Sequence, residues 1–344
     1  MSTASEFYPL KIDSVQPEAN DTLCVSLVVP EAFCETFAFR QGQYLTFRAE
    51  VNGEEMRRSY SICAAVGEPL KVAIKRIEGG RFSEFAHAHF EAGLTLEVMP
   101  PAGSFFSALD PDAARRYLCI AAGSGITPII SNIKTVLAVE SESRVTLLYG
   151  NRRSGSMIFK EQLCWLKNAY MTRFQWINIF SQESQAAPIL NGRIDNRKGA
   201  ALNQHLISIR DFDLFFLCGP ESMISEVARG LRSEGIAEEQ IHYELFSASA
   251  EDANTVVQKH QERARSYAGV TSLVEVLHRG RAVSFDVAAD GENILDGAIE
   301  QGLDLPFSCK GGVCATCKAK VTEGKVEMDL NHALSEAEVQ QGYV

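Results

Sequence analysis

Nowhere in the 344 residues does an apolar stretch approach the roughly 18 residues a membrane-spanning helix needs, so no membrane helix is expected. The amino terminus, MSTASEFYPLKIDS, lacks a basic region followed by an apolar one, and no secretory leader is expected there. Basic residues are a minority, 33 Lys and Arg against 44 Asp and Glu, giving a net charge of −11. That balance argues against nucleic acid as a partner, because phosphate backbones are met by a basic face. Cysteine comes in an odd number, nine, spread along the chain. A disulfide framework is therefore not expected, and a reducing cytoplasm fits. No internal repeat or low-complexity tract is evident. What is present is ordinary globular material, 46% hydrophobic and 22% charged, in a length that suits two or three domains.

The pattern changes twice along the chain. Residues 8–105 carry short alternating runs, among them TLCVSLVV (22–29), QYLTFRA (43–49), RRSYSIC (57–63) and LKVAIKRI (70–77), with one helical segment, RFSEFAHAHF (81–90). Many short strands punctuated by Gly and Pro predict an antiparallel barrel. Residues 107–116 are polar and hold a Pro, and are expected to be a linker. From Tyr117 onward, apolar strands (RYLCIAAG, RVTLLYG, FQWINIFSQ, DLFFLCG) alternate with helical stretches, which predicts a parallel sheet with crossover helices. Residues 250–270 are polar without a sustained apolar face and are expected to be a tether, a short helix being the alternative. SLVEVLHRG and AVSFDVAADG then predict a hairpin, and ENILDGAIEQG an amphipathic helix.

CKGGVCATCK follows that helix and places thiols at Cys309, Cys314 and Cys317. The spacing opens the plant-type [2Fe–2S] pattern, which takes a fourth cysteine further on. Gly311 and Gly312 suit a loop wrapped around a cluster, since glycine accepts positive φ and close backbone approach. Two other readings remain: zinc held by the three cysteines and His332, or a redox dithiol of Cys314 and Cys317.

Other short motifs fit cofactor chemistry. Arg58-Ser59-Tyr60-Ser61 offers an aromatic face, a donor and a cation in one strand, the groups a flavin needs; the alternative is an ordinary strand. Gly80-Arg81-Phe82-Ser83 opens a helix whose first amides suit a phosphate, or is a plain turn and cap. In GSGITP, Gly123 and Gly125 let the backbone approach a phosphate, with Thr127 as N-cap and Pro128 as first helical residue; a well-capped helix is the alternative. The next strand ends in YGNRR. No acid stands there for a ribose 2′-hydroxyl, and Arg152 and Arg153 lean towards NADPH, with NADH the alternative. Cys218 and Gly219 end a strand at the carboxyl edge, where ligands bind in such sheets; a buried cysteine acting as a small hydrophobe is the alternative.

Taken in order, RRSYSIC, IEGGRFS, AAGSGITP, YGNR, CGPESM and CKGGVCATCK resemble the ferredoxin–NADP reductase-like electron-transfer reductases with a C-terminal ferredoxin domain. The resemblance spans the whole chain. It implies an antiparallel FAD-binding barrel over 1–106, a parallel-sheet NAD(P)-binding domain over 107–249, a linker over 250–270 and a β-grasp ferredoxin domain over 271–344. It places Ser61 at the flavin and Cys218 beside the nicotinamide as catalytic residues, and sets Glu244 and Phe246 of YELF near the flavin. Gly42-Gln43-Tyr44 matches the family's barrel signature, with Gln41 where proline is usual. Gly342-Tyr343-Val344 matches the segment leading to the fourth cysteine, so the gene is expected to continue past Val344, the sequence stopping about three residues short of that ligand.

The implied activity is an NAD(P)H-dependent reductase that passes electrons through FAD and a [2Fe–2S] cluster to an oxygenase. The implied acceptor is a di-iron oxygenase acting on phenylacetyl-CoA, another mono- or dioxygenase being the alternative. From a different class comes a flavin domain fused to a zinc-binding interaction module. Between Arg281 and Lys310 there is no Lys or Arg, and Glu292, Asp296 and Glu300 fall at helical spacing, which suggests a docking face for a basic partner or a solvated helix face.

Overall fold

The computed structural model describes residues 7–19, 21–246 and 250–344; residues 1–6, where a leader would begin, lie outside them. The chain divides into two compact units, Phe7–Leu245 and Phe246–Val344.

The first unit begins with six strands, β1 (Tyr8–Ala19), β2 (Thr22–Val28), β3 (Tyr44–Val51), β4 (Glu54–Ser61), β5 (Lys71–Lys75) and β6 (Thr95–Val98), in the order β4-β3-β6-β1-β2-β5. Every pairing is antiparallel. The two edges meet, because the chain leaving β4 bridges Ile62 to Val72 on β5, and the Cys63 amide donates to the Lys71 carbonyl at 2.9 Å. The sheet closes into the expected barrel, which removes exposed strand edges. Helix α1 (Arg81–His89) buries Phe82 and Ala86 against the barrel core.

Five parallel strands follow: β7 (Arg116–Ala122), β8 (Arg144–Asn151), β9 (Phe174–Phe180), β10 (Leu214–Cys218) and β11 (Ile241–Glu244). Their order is β11-β10-β7-β8-β9, so the winding reverses between β7 and β10. The connecting helices are α2 (Ile126–Val139), α3 (Lys160–Ala169), α4 (Asn196–His205) and α5 (Glu221–Ser233). Helix α2 is buried on nearly all sides, yet carries Ser131, Asn132 and Thr135. These polar groups fasten the sheet to the barrel. Ser131 Oγ donates to the Ala64 carbonyl at 2.7 Å, Asn132 Nδ2 to the Phe105 carbonyl at 3.1 Å, and Thr135 Oγ1 accepts from the Val66 amide at 3.2 Å. Gln41 joins the same seam, donating to the Ser107 carbonyl at 2.9 Å. Burial without such partners would cost about 1–3 kcal/mol per group.

In the second unit, residues 250–266 form helix α6 (Ala250–Ser266). The tether expected over 250–270 therefore holds 17 helical residues, and its helical alternative describes it better. Strands β12 (Thr271–His278) and β13 (Arg281–Ala288) pair antiparallel through a turn in which Arg279 (φ 52°) and Gly280 (φ 79°) are both left-handed, the geometry that suits a tight hairpin. Helix α7 (Ile294–Glu300) packs Ala298 on Phe285. It begins after Asn293, whose side chain accepts from the Asp296 amide at 2.9 Å. Glu292 consequently precedes the helix instead of lying on it. Asp296 is paired with Lys310 of the cysteine loop, which neutralises part of the expected acidic stripe. After helix α8 (Glu336–Gln340), residues 342–344 return beside 319–321, with the Val344 and Ala319 amides each donating to the other's carbonyl at 2.9 Å.

Candidate functional site

Strand β4 delivers Arg58, Ser59, Tyr60 and Ser61 to the barrel rim. Alternation splits their tasks. The Tyr60 ring leans on Phe47 and Phe82, with centroids 6.0 and 5.9 Å away, and burial pushes its phenol up. Phe82 itself is 2% exposed, so it supports Tyr60 from beneath and belongs to the core. Ser59 Oγ is 2.9 Å from Thr46 Oγ1, and Arg58 turns an NH1 donor onto the Arg57 carbonyl at 2.7 Å. At the start of α1, Gly80 is held close: a side chain there would come 2.7 Å from Ser83 Oγ and 2.9 Å from the Ile77 carbonyl oxygen. Ser83 Oγ donates to the Gly80 carbonyl at 3.0 Å and ties the turn. Arg81 points its guanidinium to Glu54 at 2.8 Å, so its charge is engaged by the β3–β4 hairpin. The first-turn amides of α1 remain the phosphate-compatible groups of this motif.

On the sheet side, the expected cap is displaced. A 3₁₀ turn over Gly123–Gly125 runs straight into α2 at Ile126, with Gly125 already in helical conformation (φ −59°, ψ −10°). Thr127 and Pro128 therefore sit at the second and third helical positions, each two positions further into the helix than predicted. Thr127 Oγ1 donates to the Ser124 carbonyl at 3.0 Å and pins the turn, and Pro128 still falls where its missing N–H costs no helical bond. The two glycines differ. Gly123 (φ 54°) has open space where a side chain would stand. At Gly125 a side chain would lie 2.2 Å from the Cys218 carbonyl oxygen. Gly125 thus serves packing between the ends of β7 and β10, whereas Gly123 borders open space at the reversal of winding, where ligands of such sheets bind.

Arg152 and Arg153 follow β8 and are exposed. Sequence reasoning found no acid at this place, but the segment after β9 brings one. Glu183 Oε2 accepts from Ser154 N at 2.8 Å and Ser154 Oγ at 3.0 Å, and the Ser154 amide holds its carboxyl below the usual range. The missed residue lies 29 positions beyond Ser154, and only strand pairing reveals it.

Cys218 is fully buried at the end of β10, and burial pushes its thiol far up. A side chain at Gly219 would meet Met223 Cε at 2.8 Å and Ala122 Cβ at 3.1 Å. Opposite Cys218 in the sheet register stands Glu244 of β11, and Ser61 Oγ donates to Glu244 Oε2 at 3.0 Å. Glu244 therefore joins the barrel strand to the sheet. Phe246 is exposed and is the first described residue of the second unit.

Desolvation pushes the Glu244 carboxyl up to about 8, the Ser61 hydrogen bond opposing it only in part. The folded protein keeps a proton that the unfolded chain loses above its ordinary 4.5. The contribution of Glu244 to stability accordingly falls as pH rises from about 4.5 through about 8. Glu244→Gln mimics the protonated state at every pH. In thermal melts the variant is expected to gain on the wild type across that window, with the difference levelling off above it; a pH-independent difference contradicts the assignment.

In the cysteine loop, Cys309 is exposed and Cys314 and Cys317 are half-buried. Three residues are left-handed, Lys310 (φ 49°), Gly312 (φ 71°) and Ala315 (φ 50°). The sequence pointed to glycines for this role, but two of the three are not glycine, and nothing in Lys or Ala advertises the conformation. Alternating handedness turns successive amides inward and makes a concavity suited to an anion. The Gly311 amide donates to Cys309 Sγ at 3.3 Å. The neighbouring Cys314 thiol, with the amides of Gly311, Val313 and Cys314, holds the Cys309 thiol well below its ordinary value. Soft sulfur donors, with amides converging on Cys309, fit an iron–sulfur centre. Such a centre takes four ligands, and this loop supplies three thiols. Among the described residues, no group of three His, Cys, Asp or Glu side chains is arranged to hold a single metal ion. His332 turns Nε2 to Asp252 Oδ1 at 3.0 Å, which gives its ring a partner other than a metal.

Comparison with known proteins agrees with this layout. Residues 9–106 match the oxidoreductase FAD-binding domain family, 119–229 the oxidoreductase NAD-binding domain family, and 276–344 the 2Fe-2S iron-sulfur cluster binding domain family. The chain is 44% identical to one of the subunits of the 1,2-phenylacetyl-CoA epoxidase of Escherichia coli (strain K12), over 98% of this chain and 93% of that one. It is 31% identical to the ferredoxin reductase component of 3-ketosteroid-9-alpha-monooxygenase from Rhodococcus rhodochrous, over 97% and 92% of the two chains. Among solved structures, the flavohem-like FAD/NAD binding domain of nitric oxide dioxygenase from Vibrio cholerae O1 biovar El Tor superposes with a TM-score of 0.59 at 25% identity, covering 70% of this chain and 98% of that one. No helix among the described residues is long and apolar enough to cross a membrane. The chain belongs to the family of oxygenase reductase components that join FAD-binding, NAD-binding and [2Fe–2S] domains, and it is an NAD(P)H-dependent flavin and iron–sulfur oxidoreductase.

Proposed function

We propose that the chain is the NADPH-driven reductase of an oxygenase acting on phenylacetyl-CoA, passing electrons by way of FAD and a [2Fe–2S] centre in the loop 309–317. The observation that carries this reading is the Ser61–Glu244 contact, which brings the flavin side of the barrel and the Cys218 end of the sheet to one wall. Bound FAD supplies the conversion of a two-electron hydride into single electrons, and the protein supplies orientation and proton management. Tyr60 offers a face for the flavin ring. Ser61 Oγ offers a hydrogen-bonding hydroxyl backed by Glu244. Arg58, Ser59 and the amides of Arg81, Phe82 and Ser83 that open α1 suit the pyrophosphate, and Gly80, whose own amide donates to the Ile77 carbonyl at 2.9 Å, keeps the turn close. Gly123 leaves room for the dinucleotide phosphates, with Thr127 and Pro128 shaping the turn, while Cys218 and Gly219 line the nicotinamide end. Cys309, Cys314 and Cys317 would hold the cluster.

The arginines after β8 support NADPH, and Glu183 opposes them from the segment after β9. The ratio of kcat/KM for NADPH to that for NADH is expected to exceed one. Replacing Arg152 and Arg153 by Ser should lower it about tenfold, the scale of one charge-assisted contact, and Glu183→Gln should raise it. Equal constants for the two cofactors in the wild type would remove the preference.

Similarity to the phenylacetyl-CoA epoxidase component supports the acceptor, and acidic residues around α7 support docking of a basic partner, with Glu292 and Glu300 flanking the Asp296–Lys310 pair. Mixing the protein with candidate oxygenases and following substrate-dependent NADPH oxidation at low and high salt tests both. Phenylacetyl-CoA turnover that weakens with salt is expected; equal coupling to unrelated oxygenases would overturn the acceptor, and salt-independent coupling the docking face. All nine cysteines are free thiols, which supports residence in the reducing cytoplasm.

A further inference from the structure

Helix α6 lies between the regions that match the NAD-binding and iron–sulfur families, and none of the roles above falls to it. Asp252, Lys259 and Arg263 recur at spacings that share one helix face. That face grips the segment 328–332. Arg263 forks onto the Asp329 carboxylate, NH1 to Oδ1 and NH2 to Oδ2, the latter at 3.2 Å. Lys259 Nζ donates to the carbonyls of Met328 at 3.2 Å and Asp329 at 3.0 Å. Asp252 Oδ1 is 3.0 Å from His332 Nε2.

The same segment lies against the cysteine loop on its other side. The His332 amide donates to the Gly312 carbonyl at 2.9 Å, and a side chain on Gly312 would stand 2.7 Å from the Leu330 carbonyl oxygen. Gly312 is one of the left-handed residues between Cys309 and Cys314, and its neighbour Gly311 supplies the amide that faces Cys309 Sγ. A short chain of contacts therefore runs from the helix, through 328–332, to the backbone that meets the sulfur.

We propose that Asp252, Lys259 and Arg263 are positioning residues for the iron–sulfur centre: α6 clamps 328–332 onto Gly312 and thereby holds the inward-facing amides of the cysteine loop. The proposal rests on the reading that this loop holds a cluster. Its physical basis is the fixed fork of the Arg263–Asp329 pair, which sets direction as well as distance, and the sensitivity of metal centres to the groups that orient their ligands. Amides that point at sulfur stabilise its negative charge, so loosening them weakens retention of the cluster and alters its electronic environment.

The test uses the full-length holoprotein and two variants, Arg263→Asp and the exchanged pair Arg263→Asp with Asp329→Arg. Cluster bleaching under an iron chelator, the EPR line shape of the reduced centre, amide hydrogen exchange over 309–332 and the rate of flavin reduction by NADPH are measured on each. Arg263→Asp is expected to bleach about tenfold faster, the lower end of the range for lost outer contacts, with a changed line shape and faster exchange over 309–332. Flavin reduction should stay at the wild-type rate, and the exchanged pair should recover most of the retention. Wild-type bleaching, line shape and exchange in Arg263→Asp would overturn the proposal, as would slowed flavin reduction with no recovery in the exchanged pair, which marks general unfolding. If the wild type shows no cluster spectrum, the reading of the loop fails, and hydrogen exchange alone still decides whether α6 clamps it.

Discussion

Cys314→Ser is expected to abolish electron delivery to the oxygenase while leaving the flavin reducible by NAD(P)H. Cys314 is half-buried at the centre of the loop, and its thiol interacts directly with that of Cys309. A serine hydroxyl is a hard donor that holds its proton at neutral pH, so it cannot replace a thiolate for iron in a sulfur-rich site. The barrel and the parallel sheet form a compact unit of their own, Phe7–Leu245, and the substitution lies outside it. Visible absorption of the purified variant should show the flavin bands without the cluster contribution. Oxygenase-coupled turnover should fall at least about a hundredfold, the upper range for damage to a metal centre. Full turnover in this variant would show that the loop is not on the electron path.

The second large effect is expected at Gly125. A methyl group there would sit 2.2 Å from the Cys218 carbonyl oxygen, 2.4 Å from its carbon and 2.7 Å from the Gly219 nitrogen. All three are backbone atoms in the strand at the reversal of winding, so relief requires β10 and α2 to part. Gly125→Ala should destabilise the first unit by about 3 kcal/mol, the upper range for overpacking, and should cut kcat/KM for NAD(P)H because Cys218 and Gly219 move with the strand. Gly123→Ala provides the contrast. Its side chain would enter open space, and the penalty comes only from a left-handed backbone at φ 54°, about 1–2 kcal/mol. Thermal melts and steady-state kinetics on both variants separate the cases. Equal melting temperatures for Gly125→Ala and the wild type would contradict the tight joint.

These positions also mark what sequence can and cannot carry. Periodicity sufficed for the barrel strands, for strands β7 to β10 with helices α2, α3 and α5, and for the β12–β13 hairpin, since apolar spacing and turn residues are local. Strand β11 and helix α4 were not foreseen, being short or weakly apolar. Local patterns also misplaced the start of α2, because a 3₁₀ turn through Gly123–Gly125 continues directly into the helix. Three features depended on pairing between distant segments: Glu244 under Ser61, Glu183 on Ser154, and 328–332 under α6. A polar stretch such as 250–266 gives no apolar face because its bonds to Asp329 and His332 are made by charged side chains. The left-handed Lys310 and Ala315 are imposed by the loop around them, and their identities carry no signal for it.

The most direct test of electron passage through flavin and cluster is an anaerobic titration of the full-length holoprotein with NADPH, followed by visible absorption and EPR. Bleaching of the flavin bands together with the appearance of one reduced [2Fe–2S] signal is predicted. A protein whose flavin bleaches while no iron–sulfur signal develops, or one that stays oxidised throughout, would contradict it.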